Sequence, residues 1–381
     1  MKRLTPILKW AGGKEKELKY ILPNTPPKIN KYYEPFVGGG AVFFAMGGTA
    51  KETFINDKST ELINLYTMIK EGNQEFYSNL RKINKNWVML QRLVEKNSEY
   101  LIKLYEEYSI DKYTDTEFKD LIYEFVLHRV DEFNGILSTS FNINIENFIL
   151  EIKKNLISKT KRMKKLELEK FKLPTEDILH NIEGAFKSAF YMHFRHLYNN
   201  TDTYSINIPF ATAIFYFVRE YCYASMFRYN KSGKFNVPYG GISYNRKDFS
   251  RKIDYLQSQE LQSYLENTVI SNMDFAAFFE KYAPASGDFI FLDPPYDSDF
   301  SSYVGLDFEQ EDQRRLADYL YNTKANFMLV IKNTDFIFDL YGDKGFNIQT
   351  FDKQYLVSFQ NRNNKSAKHL MITNYEPKGV S

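Results

Sequence analysis

With 381 residues the chain is long enough for one large domain or two ordinary ones, and its aromatic content of 17% suits stacking surfaces, although most of those rings must be core. A net charge of +2 excludes a globally basic nucleic-acid binder, so any basic footprint has to be local. The single cysteine, Cys222, excludes an intrachain disulfide framework and a cysteine-built zinc site; with no signal peptide and no apolar run of membrane-spanning length, a cytoplasmic protein without a membrane partner is expected.

The first motif, "LKWAGGKEKEL", imitates a phosphate-binding P-loop but fails it: Leu8 stands where the first glycine is required and Glu15 where Ser or Thr would bind magnesium. Lys14 reads instead as a partner for a carboxylate and Trp10 as a flat neighbour for a cation or an adenine ring, against the plain alternative of a solvated lysine in a turn. Residues 31 to 75 then read as strand, glycine loop, helix, strand, helix, a βαβ beginning. Gly38, Gly39 and Gly40 let the backbone pass close to a ligand at a helix N-terminus. Asp57 follows by about 20 residues, where an acid can accept both hydroxyls of a ribose. A bare tight turn and a helix-capping Asp are the competing explanations.

From about 76 to 220 the texture changes to long, charged, helically spaced segments without glycine loops, which looks like an insertion. The stretch "FRYNKSGKFNVPYGG", 227–241, reads as a β-hairpin around "NKSG". Strand-like runs return at "TVISNMDF", "DFIFLDPP", "NFMLVIKN" and "FNIQTFDKQYLVSFQ", with a helical "EQEDQRRLADYLYN" among them. The expected organisation is therefore an α/β domain split into 1–75 and 255–381 by an insertion at 76–254.

The most specific string is "DPPY", Asp293, Pro294, Pro295 and Tyr296, at the end of an apolar strand. A [DNS]PP[YFW] tetrapeptide arises by chance in about one chain in a hundred of this length. Two prolines fix the backbone and remove two N–H donors, so the Asp carboxylate and the carbonyls form a set of acceptors suited to an exocyclic amine. Tyr296 can stack on the ring that bears the amine. The bland alternative is a Pro-rich strand end with a capping Asp.

Taken in order, "LKWAGGK", "EPFVGGGAVFF", "INDKSTELINLY", "FRYNKSGKFNVPYG" and "DPPY" resemble the DNA adenine N6-methyltransferases of the Dam type, the alpha or D12 group. The likeness covers most of 1–75 and 220–381, and the motifs offer no counterpart for 85–200. It implies a Rossmann-like sheet with an inserted helical and β-hairpin target-recognition domain, acting on double-stranded DNA with S-adenosyl-L-methionine as cofactor, S-adenosyl-L-homocysteine as product and no metal. By the same resemblance, Trp10, Lys14, Pro35, Phe36, Gly38 to Gly40, Asp57, Asp274, Phe275 and Asp293 hold the cofactor, with Lys14 near the methionine carboxylate and Asp274 and Phe275 at the adenine. Asp293, Pro294, Pro295 and Tyr296 form the catalytic tetrapeptide. In the recognition segment, Arg228 reads a guanine, Tyr223 wedges beside the flipped base, and Met226, Asn230, Lys231 and Pro238 lie at the DNA. Many relatives have Asn-Gly-Leu where this chain has Ala224, Ser225 and Met226, which puts a GATC target in doubt. The expected setting is a bacterial or phage-infected cell, and a separately acting restriction endonuclease as partner stays open. Two other readings also stay open: cytosine N4-methylation, since N4 is likewise an exocyclic amine, and a DNA-binding protein that keeps the fold without the activity.

Two basic stretches complete the reading. Residues 151–172 carry nine Lys and Arg against three Glu, with Ile149, Ile152, Leu156, Met163 and Leu166 at helical spacing, so that one face can pack while the other meets phosphates. A solvated helix face explains the same charges. In "SFQNRNNKSAKHL", Arg362, Lys365 and Lys368 are candidates for phosphate contacts.

Overall fold

Short apolar runs such as "FIFL" and "FMLVI" have no polar face to offer solvent, which suits parallel strands covered on both sides. In the computed structural model, which describes residues 4–129, 132, 133, 135, 143–296, 308–354 and 366–377, they form such a sheet. Its strands are β1 (Lys31–Glu34), β2 (Glu52–Asn56), β3 (Thr268–Ser271), β4 (Phe289–Leu292), β5 (Asn326–Lys332), β6 (Asn347–Gln354) and β7 (Ser366–Thr373). The order is β3-β2-β1-β4-β5-β7-β6. β1 pairs in parallel with β2 on one side and β4 on the other, and β7 runs antiparallel between β5 and β6. All four residues of β4 and Phe327 to Ile331 of β5 are buried. One face packs Tyr33, Phe54, Ile290, Leu292 and Leu329 against the helices Phe275–Tyr282 and Gln310–Asn322, whose buried members include Phe278, Phe279, Leu316 and Leu320. Each such side chain contributes about 1.5–3 kcal/mol by leaving water.

The run "TVISNMDF" is shorter as a strand than the sequence suggests. β3 ends at Ser271, and Asp274 accepts the Ala276 N–H at 2.9 Å as N-cap of the helix Phe275–Tyr282. An Asp followed by an apolar helix-spaced run is a start signal that outweighs β-propensity.

The chain divides into two compact units. One takes in Met1–Gly72, Phe227–Gly233 and Leu256–Ser381 and holds the sheet; the other takes in Asn73–Met226 and Lys234–Tyr255. The second is built on the long helices Gln74–Lys96, Ile145–Glu169, Thr175–Tyr198 and Ile208–Tyr221. Their starts are marked in the sequence: Asn73 accepts the Phe76 N–H at 2.9 Å, and Asn207 accepts that of Phe210 at 3.1 Å with a proline in the first turn. Each cap stabilises its helix by about 1 kcal/mol. The core of this unit is aromatic, with Trp87, Phe190, Phe194, Phe217 and Tyr221 in edge and tilted contacts, and it absorbs much of the chain's surplus of rings. No helix among the described residues is long and apolar enough to cross a membrane.

The expected hairpin at 227–241 is a turn rather than a ribbon. Gly233 N–H donates to Asn230 carbonyl at 2.9 Å, and Cys222 and Tyr239 form an isolated antiparallel bridge, but no strand is sustained. Pro238 lacks a ladder donor and Gly240 and Gly241 follow, which stops pairing from propagating.

Candidate active site

Because β1 has β2 on one side and β4 on the other, the chain leaves the carboxyl ends of three adjacent strands in three separate loops. These are Pro35–Gly40 after β1, Asp57–Ser59 after β2 and Asp293–Tyr296 after β4. A sheet whose order reverses beside its first strand opens a crevice at that end, which is where ligands bind in such folds.

Lys14 and the tetrapeptide meet there although they come from opposite ends of the chain. Lys14 is 2% exposed and forms an ion pair with Asp293. Its ammonium also donates to the Gly12 carbonyl at 2.9 Å and to the Tyr296 hydroxyl at 3.2 Å. Tyr296 Oη lies 3.2 Å from Nε2 of His369, which is wholly buried on β7 and packs edge-on to the tyrosine. Gln313, also wholly buried, donates to the Pro295 carbonyl at 2.9 Å. Asp293, the tyrosine ring and one proline carbonyl are thus each held by a side chain from another element. Neither Gln313 nor His369 is legible as a site residue in the sequence, since Gln313 looks like the polar side of a helix and His369 like a strand interior.

Asp57 is buried at the end of β2 and accepts one backbone N–H on each oxygen, from Gly38 at 3.0 Å and Ser59 at 2.9 Å. Burial pushes its carboxyl up to about 6, against the two amides that favour the charged form. Ser59, rather than Asp57, caps the next helix. Gly38 and Gly40 have φ of 50° and 81°, and an added Cβ would meet the Trp10 ring at 2.8 Å at the first and Phe44 and the Tyr66 hydroxyl at 2.6 Å at the second. The loop is therefore closed over by its own protein neighbours, with the Tyr66 hydroxyl donating to the Gly38 carbonyl at 3.0 Å. Trp10, half-buried, meets Phe227 edge-on at 4.4 Å. Pro35 is buried, and its carbonyl accepts from Asn56 at 3.1 Å.

Glu34, passed over in the motif reading, ends β1 at 2% exposure and accepts the Tyr32 hydroxyl at 2.5 Å. Burial holds its carboxyl well above the usual range, and the nearby Asp293 adds to this while Tyr32 and Lys14 oppose it. The only hint in the sequence is an acid closing an otherwise aromatic strand.

Asp274 accepts from Arg315 Nη2 at 2.7 Å as well as capping its helix. The ring of Phe275 is 3% exposed, enclosed by Phe36, Phe279 and Phe308 with the Arg315 guanidinium 4.9 Å away. Here Phe275 braces the Asp274 turn and presents no open face, while Phe36 beside it is half-buried.

Known proteins resemble this chain over most of its length. The family profile described as D12 class N6 adenine-specific DNA methyltransferase matches residues 10–179 and 142–357. The chain belongs to this family. The type II methyltransferase M.CviBI of Paramecium bursaria Chlorella virus NC1A is 25% identical over 98% of this chain and all of its own length. The type II methyltransferase M.MjaIII of Methanocaldococcus jannaschii is 27% identical over 97% of this chain and 99% of its own, and the DNA adenine methylase of Vibrio cholerae is 28% identical over 54% and 72%. The protein is thus a DNA adenine N6-methyltransferase by family, which favours adenine N6 over cytosine N4 as the methylated amine. Likeness also runs through 85–200, where short motifs found no counterpart: helical packing conserves character and spacing rather than strings.

Methyltransferases generally take the methyl group from S-adenosylmethionine. The donor set at the three strand ends fits such a molecule, since a carboxylate with two lone-pair positions already fixed by amides keeps others for hydroxyls. The candidate DNA contacts of the methyltransferase fall into two groups. Arg228, Asn230 and Lys231 are exposed in the sheet-bearing unit; Tyr223, Met226 and Pro238 are in the helical unit, where the Tyr223 N–H donates to the Pro238 carbonyl at 2.8 Å. Arg362 and Lys365 lie outside the described residues, and Lys368 is described only as part of the β7 backbone. Along the basic helix Ile145–Glu169, Phe148, Ile152, Leu156 and Met163 are buried as the spacing predicts. Its cations have acidic partners more often than expected, with Lys161 paired to Asp115, Lys164 to Asp111 at 2.6 Å and Lys165 to Glu169 at 3.6 Å. Most of this charge is accounted for within the unit itself.

Proposed function

We propose that the enzyme methylates a flipped-out adenine at a specific site in duplex DNA, with Asp293 and the Pro294 carbonyl accepting the two N6 hydrogens. The N6 lone pair is delocalised into the ring until those hydrogens are drawn out of plane, so two fixed acceptors make the nitrogen nucleophilic. Positioning then supplies much of the rate in a direct displacement without a covalent intermediate, in which N6 would gain the methyl carbon as its S–C bond breaks, a neutral thioether would leave, and one N6 proton would pass by way of Asp293 to solvent. S-adenosylmethionine, when bound, supplies a methyl group activated on a sulfonium. Asp57 would take its ribose hydroxyls, Lys14 its carboxylate in exchange for one of its three present partners, Asp274 its adenine, and Trp10, Pro35, Phe36 and the loop Gly38 to Gly40 the remaining surface. Tyr296 would cover the flipped base, replacing lost stacking. Tyr223, Met226, Arg228, Asn230, Lys231, Pro238, Arg362, Lys365 and Lys368 are proposed as DNA contacts, and the cytoplasm as the place of action.

The observation that carries the reading is that Asp293, just past the carboxyl end of β4, is held by a buried lysine from the other end of the chain, while the two prolines after it contribute no N–H donors. Tritium transfer to unmethylated DNA tests it. Asp293→Ala should lower transfer by about 10³-fold while DNA binding in a mobility-shift assay is retained. Appreciable residual transfer would overturn the role given to Asp293.

A further inference from the structure

The turn Tyr223–Met226 runs against the preferences of its own residues. Met226 N–H donates to the Tyr223 carbonyl at 3.1 Å, and both central residues have positive φ, 53° at Ala224 and 52° at Ser225. That is the pattern of a type I′ turn, which selects Asn-Gly because it needs two left-handed residues in succession. Alanine and serine carry a Cβ that opposes this conformation. Such a geometry persists only where surrounding groups enforce it.

The enforcing group is Arg219, in the last turn of the helix Ile208–Tyr221 and 1% exposed. Its Nη1 donates to the Met226 carbonyl at 2.6 Å and its Nη2 to the Ser225 carbonyl at 3.2 Å. The planar fork of a guanidinium fixes two successive carbonyls in one orientation, which an ammonium cannot do. On the other side, Tyr223 N–H donates to the Pro238 carbonyl at 2.8 Å and Gly240 N–H to the Tyr221 carbonyl at 3.0 Å. Held from both sides, the turn leaves the Tyr223 ring 48% exposed at its first position.

We propose that Arg219 is a positioning residue for DNA recognition: it locks the left-handed Ala224–Ser225 turn and so presents Tyr223 to the duplex in one orientation. This rests on the reading of Tyr223 as a DNA contact. Arg219 substitutes for the turn residues that the backbone would otherwise require, and a chain given those residues no longer needs it.

The test compares Arg219→Met, the pair Ala224→Asn with Ser225→Gly, and all three together, by tritium transfer to unmethylated bacteriophage DNA. Arg219→Met should raise KM for DNA by about tenfold, with kcat at saturating DNA and calorimetric affinity for S-adenosylmethionine unchanged. Adding the Asn-Gly pair should bring KM to the value measured for the pair alone, because a turn built of its own left-handed residues no longer depends on Arg219. An unchanged KM in Arg219→Met, or a rise that the pair does not repair, overturns the proposal. Tyr223→Ala separates the two layers: an unchanged KM there removes the DNA contact on which the proposal rests. The lock itself is then read from thermal denaturation, where the pair must raise Tm more in the Arg219→Met background than in the parent; equal increments overturn it as well.

Discussion

Among the described residues two lysines, Lys14 and Lys187, are buried in ion pairs, and their surroundings differ in a way that separates a candidate site from a scaffold. Lys187 is wholly buried in the helical unit, pairs at 2.8 Å with Glu183 one turn away, donates to the Asn245 carbonyl at 2.5 Å and lies 4.9 Å from the Trp87 ring. Glu183 is itself only 3% exposed. Lys14 is as deeply buried, but its partner Asp293 is 18% exposed and stands on a proline-stiffened loop at a strand end. Burial of a charge therefore does not mark function here. The candidate site differs in that its buried cation pairs with a partly exposed anion carried by a distant part of the chain.

This contrast can be broken by substitution. Lys187→Met leaves Glu183 buried without its main counter-ion and should cost about 3–5 kcal/mol in chemical denaturation, with transfer per folded molecule unchanged; a large loss of kcat would erase the distinction. Lys14→Met should show the reverse, a fall in transfer of about 10²-fold with a smaller change in stability. Next comes pH. The Asp57 carboxyl is raised from 3.8 to about 6, so the folded state holds that proton more tightly than the unfolded chain. Its contribution to stability is complete below 3.8 and is lost as pH rises through about 6. Cofactor affinity should move the opposite way, weakening by about tenfold for each pH unit below 6 if the ionised form takes the ribose hydroxyls. Isothermal titration across that range should show the slope in the parent and a flat profile in Asp57→Asn. The smallest effect belongs to His369→Phe, which keeps the packing but leaves the Tyr296 hydroxyl with Lys14 and without the imidazole; kcat should drop by about threefold to tenfold with KM for DNA unchanged, and His369→Gln should recover part of it.

Much of the site could be read directly from the sequence because its parts are local. "GGG" between strand and helix, an acid closing the next strand and "DPPY" at the end of an apolar run each state their geometry within a few residues. What could not be read depends on pairing between distant segments. His369 reaches Tyr296 only because β7 enters the sheet beside β5, and nothing in "SAKHLMIT" announces an antiparallel insertion. Gln313 and Arg315 look like the solvent side of an amphipathic helix, yet one fixes Pro295 and the other Asp274. The hairpin around "NKSG" is shorter than its aromatic residues suggest: Tyr229 and Phe235 on either side of the turn are bridge residues, but Pro238 and its glycines follow and no strand is sustained. The left-handed turn at Ala224 and Ser225 is the clearest miss, since neither residue signals it and the cause sits on Arg219. At about 1–2 kcal/mol for each left-handed residue with a Cβ, that strain is comparable to the hydrogen bonds that offset it.

The place of β7 also bears on how the sheet can form. It is the last of the described strands but an interior one, flanked by β5 and β6. Until residues 366 to 373 are available, β5 has an open edge of five buried-type apolar residues and β6 has no partner to pair with. During synthesis that edge is exposed from the time β5 emerges until the final strand arrives, which is when the nascent sheet is most prone to pair with another chain. A chain cut before Ser366 would lose the attachment of two strands rather than one. The same strand carries His369, so the contact to Tyr296 depends on the strand that also joins β6 to the sheet.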